Sequence, residues 1–181
     1  MAQTLIKTQN PSGASNITFI DGTSDVVFDG TYPMYICQYT LQPDAGNDAV
    51  LRLVRTKDGG TNWENVTTVT AGWSFGTAES GSTSGPSFNS DYSHHNVGTI
   101  FIGQSGTNGG ENCSGLIYMF TPENTTYVKH WNAGQTTGNG SDYHVYYLVG
   151  GYHNDTAAMD GFRLSFDGQN CSGLVKLYGV A

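Results

Sequence analysis

The sequence predicts an all-β domain, a sandwich or barrel of short antiparallel strands, and three observations carry that expectation. Glycine (25) and tyrosine (11) are abundant while only 12% of the 181 residues are charged, too few for long solvent-facing helices laced by ion pairs. Turn pairs recur at Asp21-Gly22, Asp29-Gly30, Asp58-Gly59, Asn108-Gly109, Asn139-Gly140, Asp160-Gly161 and Asp167-Gly168. Each joins a side-chain acceptor for backbone N–H groups to a residue that takes positive φ without a Cβ clash. Between the turns, apolar and polar residues alternate: Phe162, Leu164 and Phe166 share one face of an extended segment, Arg163 and Ser165 the other. No segment carries a helical stripe, and a hydrophobic content of 37% suits one compact domain over residues 1–181.

In chain order, the same alternation and turn signals predict strands over about 3–8, 15–20, 24–28, 33–41 and 49–56, the last holding the run Val50, Leu51, Leu53, Val54. Further strands are expected over about 64–70, 97–104, 114–121, 125–131, 143–150, 160–167 and 172–179. Between the fifth and sixth elements lies Thr56-Lys57-Asp58-Gly59-Gly60-Thr61-Asn62-Trp63. Here Asp58 is expected to bond its own turn, Gly59 and Gly60 to supply positive φ, and Trp63 to fold back as an apolar plug. Gly76 to His95, rich in Ser, Gly, Thr and Asn, exceeds hairpin length and is expected to be a long polar loop that orders at a contact. Shorter loops are expected at Ala133 to Ser141 and Tyr152 to Met159, on either side of the aromatic strand Tyr143-His144-Val145-Tyr146-Tyr147-Leu148.

Charge and cysteine content narrow the function. Seven basic against fifteen acidic residues give a net charge of -8, which repels a phosphate backbone and makes nucleic acid an unsuitable partner. The N-terminus Met1 to Lys7 lacks the basic flank and apolar run of a signal peptide, and no stretch approaches a membrane span, so synthesis in a cytoplasm without membrane insertion is expected. Cys37, Cys113 and Cys171 make an odd count, read as small core thiols. A Cys113 to Cys171 bridge is the alternative, because both stand in the phrase Asn-Cys-Ser-Gly-Leu, at 112–116 and 170–174. That repeated phrase is read as two similar strand entries.

Enzymatic signatures are missing from the sequence: no Gly-x-Ser-x-Gly elbow, no phosphate-cradling loop followed by Lys, no His-Glu-x-x-His and no Cys-x-x-Cys. Glu79, Asp91, His94 and His95 could offer metal ligands, and Asp44, Asn47 and Asp48 oxygens for calcium. Adjacent histidines on an extended segment point to opposite faces, however, and the acidic loop lacks the dense alternation of a calcium loop. Neither group is taken as a metal site, and no cofactor is expected. Glu79, Ser90, Asp91, His94 and His95 are instead read as contact residues of the polar loop. Trp131, Tyr143, Tyr146 and Tyr152 lie at strand ends beside polar loops and are candidates for a platform on which a sugar could stack. Core packing and an inter-subunit interface are the competing readings.

The opening Met-Ala-Gln-Thr-Leu-Ile-Lys-Thr, the segment from Ile20 to Asp29, the Asp58-Gly59-Gly60 hairpin and the ending from Ser172 to Val180 carry a resemblance. Together they resemble small virion structural proteins of tailed bacteriophages of the marine and cyanophage type. The resemblance implies a jelly-roll-like antiparallel β-sandwich that serves as a capsid decoration or cement protein, a head fibre or a tail appendage. It implies no catalytic residue. The expected partners are further copies of the chain, as a homo-oligomer and specifically a trimer, and the phage major capsid protein or other virion proteins. The expected location is the surface of the particle. A tail-fibre or receptor-binding module that grips host surface glycans is the alternative.

Overall fold

A computed structural model describes residues 2–46, 48–63, 68–78, 80–81, 83–87, 95–97, 99–108, 111–140 and 142–181, with the backbone alone for 83–87 and 95–97. The strands are β1 (Gln3–Gln9), β2 (Ile17–Ile20), β3 (Met34–Pro43), β4 (Ala49–Thr56), β5 (Thr68–Ala78), β6 (Thr83–Ser87) and β7 (His95–Val97). They continue as β8 (Thr99–Ser105), β9 (Cys113–Phe120), β10 (His130–Asn139), β11 (Tyr143–His153), β12 (Gly161–Phe166) and β13 (Cys171–Val180). Every pairing is antiparallel.

The strands form two sheets. The larger runs β1-β13-β3-β9-β10-β11-β5-β6, with β7 also on β5, and the smaller runs β2-β12-β4-β8. From β2 onward the chain crosses between the sheets at β2 to β3, β3 to β4, β4 to β5, β7 to β8, β8 to β9, β11 to β12 and β12 to β13, staying in the large sheet only through β5-β6-β7 and β9-β10-β11. This weave is that of a jelly roll in which one strand has expanded into the three-stranded meander β9-β10-β11. The fold is therefore the antiparallel β-sandwich that the sequence predicts.

One core fills the space between the sheets. Phe162, Leu164 and Phe166 from β12, Leu51 and Leu53 from β4, and Ile17 and Phe19 from β2 meet Tyr35, Cys37, Tyr39, Ile117, Val175 and Leu177 of the large sheet. Phe19 stacks on Phe162 with ring centroids 5.0 Å apart, and Phe28 meets Tyr35 at 4.9 Å. Burial of side chains of this size is the dominant favourable term of folding.

Several strand expectations shift. The segment 24–28 is a turn, because Ser24 and Asp25 take φ of 51° and 69° and the Asp21 carboxylate accepts the Phe28 N–H at 2.7 Å. Val26 and Phe28 nevertheless reach the core from that turn. The strand expected at 125–131 lies at 130–139, so Ala133 to Asn139 is not a loop. Its glycine, threonine and asparagine content suggests a loop, but ladders to β9 and β11 on both sides hold it extended. Gly76 to His95 is likewise not one long loop: Gly76 to Ala78 finish β5, Thr83–Ser87 pair back on it as β6, and β7 begins at His95. Both Asn-Cys-Ser-Gly-Leu phrases open strands, β9 and β13, that flank β3. The three cysteines are free and buried.

Candidate functional site

The Asp58 corner is built entirely around its own chain. Asp58 Oδ1 accepts the Thr56 hydroxyl at 2.7 Å and the Asn62 N–H at 2.9 Å, while Oδ2 accepts the Asn62 side-chain amide at 2.8 Å. These bonds, led by the Asn62 N–H, hold the carboxyl at about 2, below its ordinary 3.8. Gly59 donates to the Asp160 carboxylate at 3.1 Å, tying the corner to the start of β12. Gly60 has φ +83°, and a Cβ there would stand 2.8 Å from Ile20 Cδ1. Trp63 folds back over the turn, and the Arg163 guanidinium lies 4.8 Å above its ring. The carboxylate oxygens are committed within the corner, which marks it as a structural device on the outer side of the small sheet.

The aromatic candidates separate. Trp131 is 2% exposed and belongs to the core, because on β10 it alternates with outward His130 and Asn132 and pairs with inward Met119. It is not part of a platform. Tyr143 is half-buried at the start of β11, its N–H donated to Asn139 Oδ1 at 3.2 Å, and it lines a cavity of about 330 Å³ with Glu111, Asp142 and His144. Tyr146 and Tyr152 do face outward, Tyr152 beside His130 with ring centroids 6.0 Å apart. Glu79, Ser90, Asp91 and His94 lie outside the described residues, as does Asn47, and of His95 only the backbone is described.

Around Tyr146 the outward side chains of the large sheet fall into cross-strand rows. One row is Tyr118, Asn132, Gly150 and Ala71 on β9, β10, β11 and β5; the next is Leu116, Gly134, Leu148 and Trp73; a third is Ser114, Thr136, Tyr146 and Phe75. None of these residues is charged, in a chain whose net charge is -8. Phe75, 40% exposed, stands between Trp73 and Tyr146 with ring centroids 5.6 Å and 5.5 Å away, making an aromatic ridge. Beside the ridge is a trough of about 550 Å³, lined by Trp73, Leu116, Tyr118, Asn132, Gly134, Tyr146, Leu148 and Gly150. The Tyr146 hydroxyl lies across β10 over Gly134, where a Cβ would sit 2.6 Å from it and displace the ring.

Sequence reasoning found Tyr146 and missed Trp73, Phe75 and Leu148. The signal was present: Val69, Ala71, Trp73 and Phe75 alternate with Thr70, Gly72 and Ser74. Alternation alone assigns the apolar set to a core, and here it lies on the outward side of the sheet, with Ala71 and Phe75 exposed.

Beneath the face, apolar core residues such as Ile117, Ala133 and Val149 surround a small polar network. Tyr39 donates its hydroxyl to Gln135 Oε1 at 3.0 Å, Gln135 donates its amide to the Gln104 carbonyl at 2.8 Å, and Tyr147 donates to Gln104 Oε1 at 3.1 Å. At one end Arg55, Lys129 and His153 are buried. Arg55 donates to the Thr68 hydroxyl and Lys57 pairs with Asp155. Burial, followed by the charge of Arg55, holds His153 well below its usual range, so it is neutral. Burial also pushes the Cys113 and Cys171 thiols up, to about 12 and about 11. Among the described residues, no three His, Cys, Asp or Glu side chains converge as metal ligands. No protein-family model matches the chain, and no curated protein matches it.

Proposed function

We propose that this chain is a structural protein of a tailed-phage particle, a capsid decoration or cement protein that works through its surfaces. The observation that carries the reading is the outward face of β9, β10, β11 and β5: uncharged, aromatic and ridged, on a stiff two-sheet block. Exposed apolar patches of this kind mark contact sites, because water at such a surface is released when a partner covers it. Exposed acids at turns, such as Asp21, Asp25 and Asp142, keep other parts of the molecule hydrated. The resemblance of both chain ends to phage virion proteins supplies the setting, with the major capsid protein as the partner and the virion surface as the location.

The test is to add the purified chain to particles that lack it and locate it by electron microscopy. Density at regular capsid sites is expected. Density confined to the tail, or none, would remove the decoration reading.

A second reading, recognition of host glycans, is favoured by one observation: the Phe75 and Tyr146 rings stand beside a trough of ligand size that also presents the Asn132 amide. Under that reading Tyr146→Ala abolishes attachment to host cells while capsid occupancy stays intact.

A further inference from the structure

We infer that the cavity between the β8–β9 loop and the β10–β11 hairpin binds a guanidinium group, with Glu111 as its counter-ion. This goes beyond the surface reading above and does not depend on it.

The loop builds the site. Gly106 donates its N–H to the Gly138 carbonyl at 3.0 Å, and Gly138 donates to the Asn112 carbonyl at 3.3 Å, which ties the loop to the end of β10. Glu111 folds over Gly106, where a Cβ would stand 2.3 Å from Glu111 Oε2. That oxygen accepts the Asn108 N–H at 3.0 Å. Among the described residues, Oε1 accepts no hydrogen bond, and no Lys or Arg side chain pairs with this carboxylate. Glu111 is 7% exposed and lines the cavity of about 330 Å³, so what remains open of its carboxylate faces that space. A carboxylate withdrawn from water with one neutral donor is costly, and a cation entering the cavity offsets that cost.

The walls select the kind of cation. Asp142 adds a second carboxylate at the exposed rim, Asp48 accepts the Gly140 N–H at 3.3 Å on the hairpin, and no Lys or Arg lines the cavity. A calcium ion would take about six to eight oxygen ligands with several carboxylates converging, and among the described residues no three His, Cys, Asp or Glu side chains converge. A guanidinium asks for less: a carboxylate edge for its fork of N–H groups and an aromatic ring beside its plane. Glu111 supplies the first and the half-buried Tyr143 the second. The volume lies at the small end of ligand pockets, the size of a short chain carrying one such group.

The experiment is two-dimensional amide NMR of the full chain with propylguanidinium as the probe and propylurea as its neutral isostere. Propylguanidinium should shift the amides of Gly106, Asn108 and Tyr143 with a Kd of about 1 mM or tighter, and propylurea should shift none of them. Glu111→Gln should weaken binding about 10-fold or more, because it removes the charge from the bond. Asp142→Asn, at an exposed position that the fold does not need, should weaken it about 3-fold and keeps the test open if Glu111→Gln fails to fold. A blocked tripeptide with a central arginine, titrated in parallel, separates the sources. A matching shift supports an arginine side chain of a partner chain as the occupant, and a shift with propylguanidinium alone supports a free guanidine compound. Three results overturn the inference: no shift at about 20 mM probe, an equal response to propylurea, or binding that neither variant weakens. Absence of the chain from phage particles would remove the decoration reading and leave this result unchanged.

Discussion

Strands β12 and β5 both alternate strictly, yet they bury opposite kinds of residue. On β12 the apolar set, Phe162, Leu164 and Phe166, faces the core, and Arg163 and Ser165 face out. On β5 the apolar set, Ala71, Trp73 and Phe75, faces out, while Thr68, Thr70 and Ser74 face in. The cause lies in what each strand meets across the sandwich. β12 sits between β2 and β4, over a hydrocarbon core. The inward polar residues of β5 meet polar partners: the Thr68 hydroxyl accepts from buried Arg55 of β4, and Ser74 stands opposite Tyr147, whose hydroxyl donates to Gln104 of β8. An alternating strand thus declares that it has two unlike faces without declaring which one is buried, and an apolar set left outside is a candidate contact surface.

The largest expected effect sharpens this contrast with one residue type. Leu164→Ala should cost about 2–5 kcal/mol in urea unfolding, since it leaves a cavity in the core. Leu148→Ala, on the outward face of β11, should cost about 1 kcal/mol or less while weakening attachment to particles. Equal losses of stability would break the distinction between the faces.

The polar network joining β3, β8, β10 and β11 offers the next test. Gln135→Ala should cost about 1–3 kcal/mol, because it strands the Tyr39 hydroxyl and one partner of Gln104 away from water. No change would mean that the network does not hold that side of the sandwich together.

On the β12 side, Gly60→Val should cost about 1–3 kcal/mol, from its φ of +83° and the clash with Ile20. Loss of partner binding at an unchanged melting temperature would instead make the corner a contact site.

The smallest effect is one of pH. The folded Asp58 carboxyl lies at about 2 against an ordinary 3.8, so its contribution is complete above about pH 4 and is lost as pH falls through about 2. Acid titration of the wild type and Asp58→Asn should differ in that window and converge below it. Parallel curves throughout would show that the turn bonds do not depend on the charge.

Much of the sandwich was legible in the sequence, because strands such as β4 and β12 combine alternation with turn pairs at their ends. β10 was misplaced, since Ala133 to Asn139 is extended only because neighbours bond it on both sides, a tertiary cause that local composition cannot carry. β6 was hidden for the same reason in a Ser/Gly-rich stretch whose pairing partner is the edge of β5. The site was half legible. Tyr146 stood out as an aromatic beside polar loops, but Trp131, chosen on the same ground, lies in the core because one step along a strand reverses the face. Trp73 and Phe75 went unseen because the strand expected over about 64–70 stops before them, whereas β5 runs over Thr68–Ala78.

The most direct test of the central claim, that the outward face of β5 and β11 is the working surface, is hydroxyl-radical footprinting of the chain when assembled on particles and when free. Assembly should protect Phe75, Tyr146 and Leu148 and leave Trp63 on the opposite face as reactive as before. Protection of Trp63, with Phe75 and Tyr146 oxidised equally in both states, would contradict it.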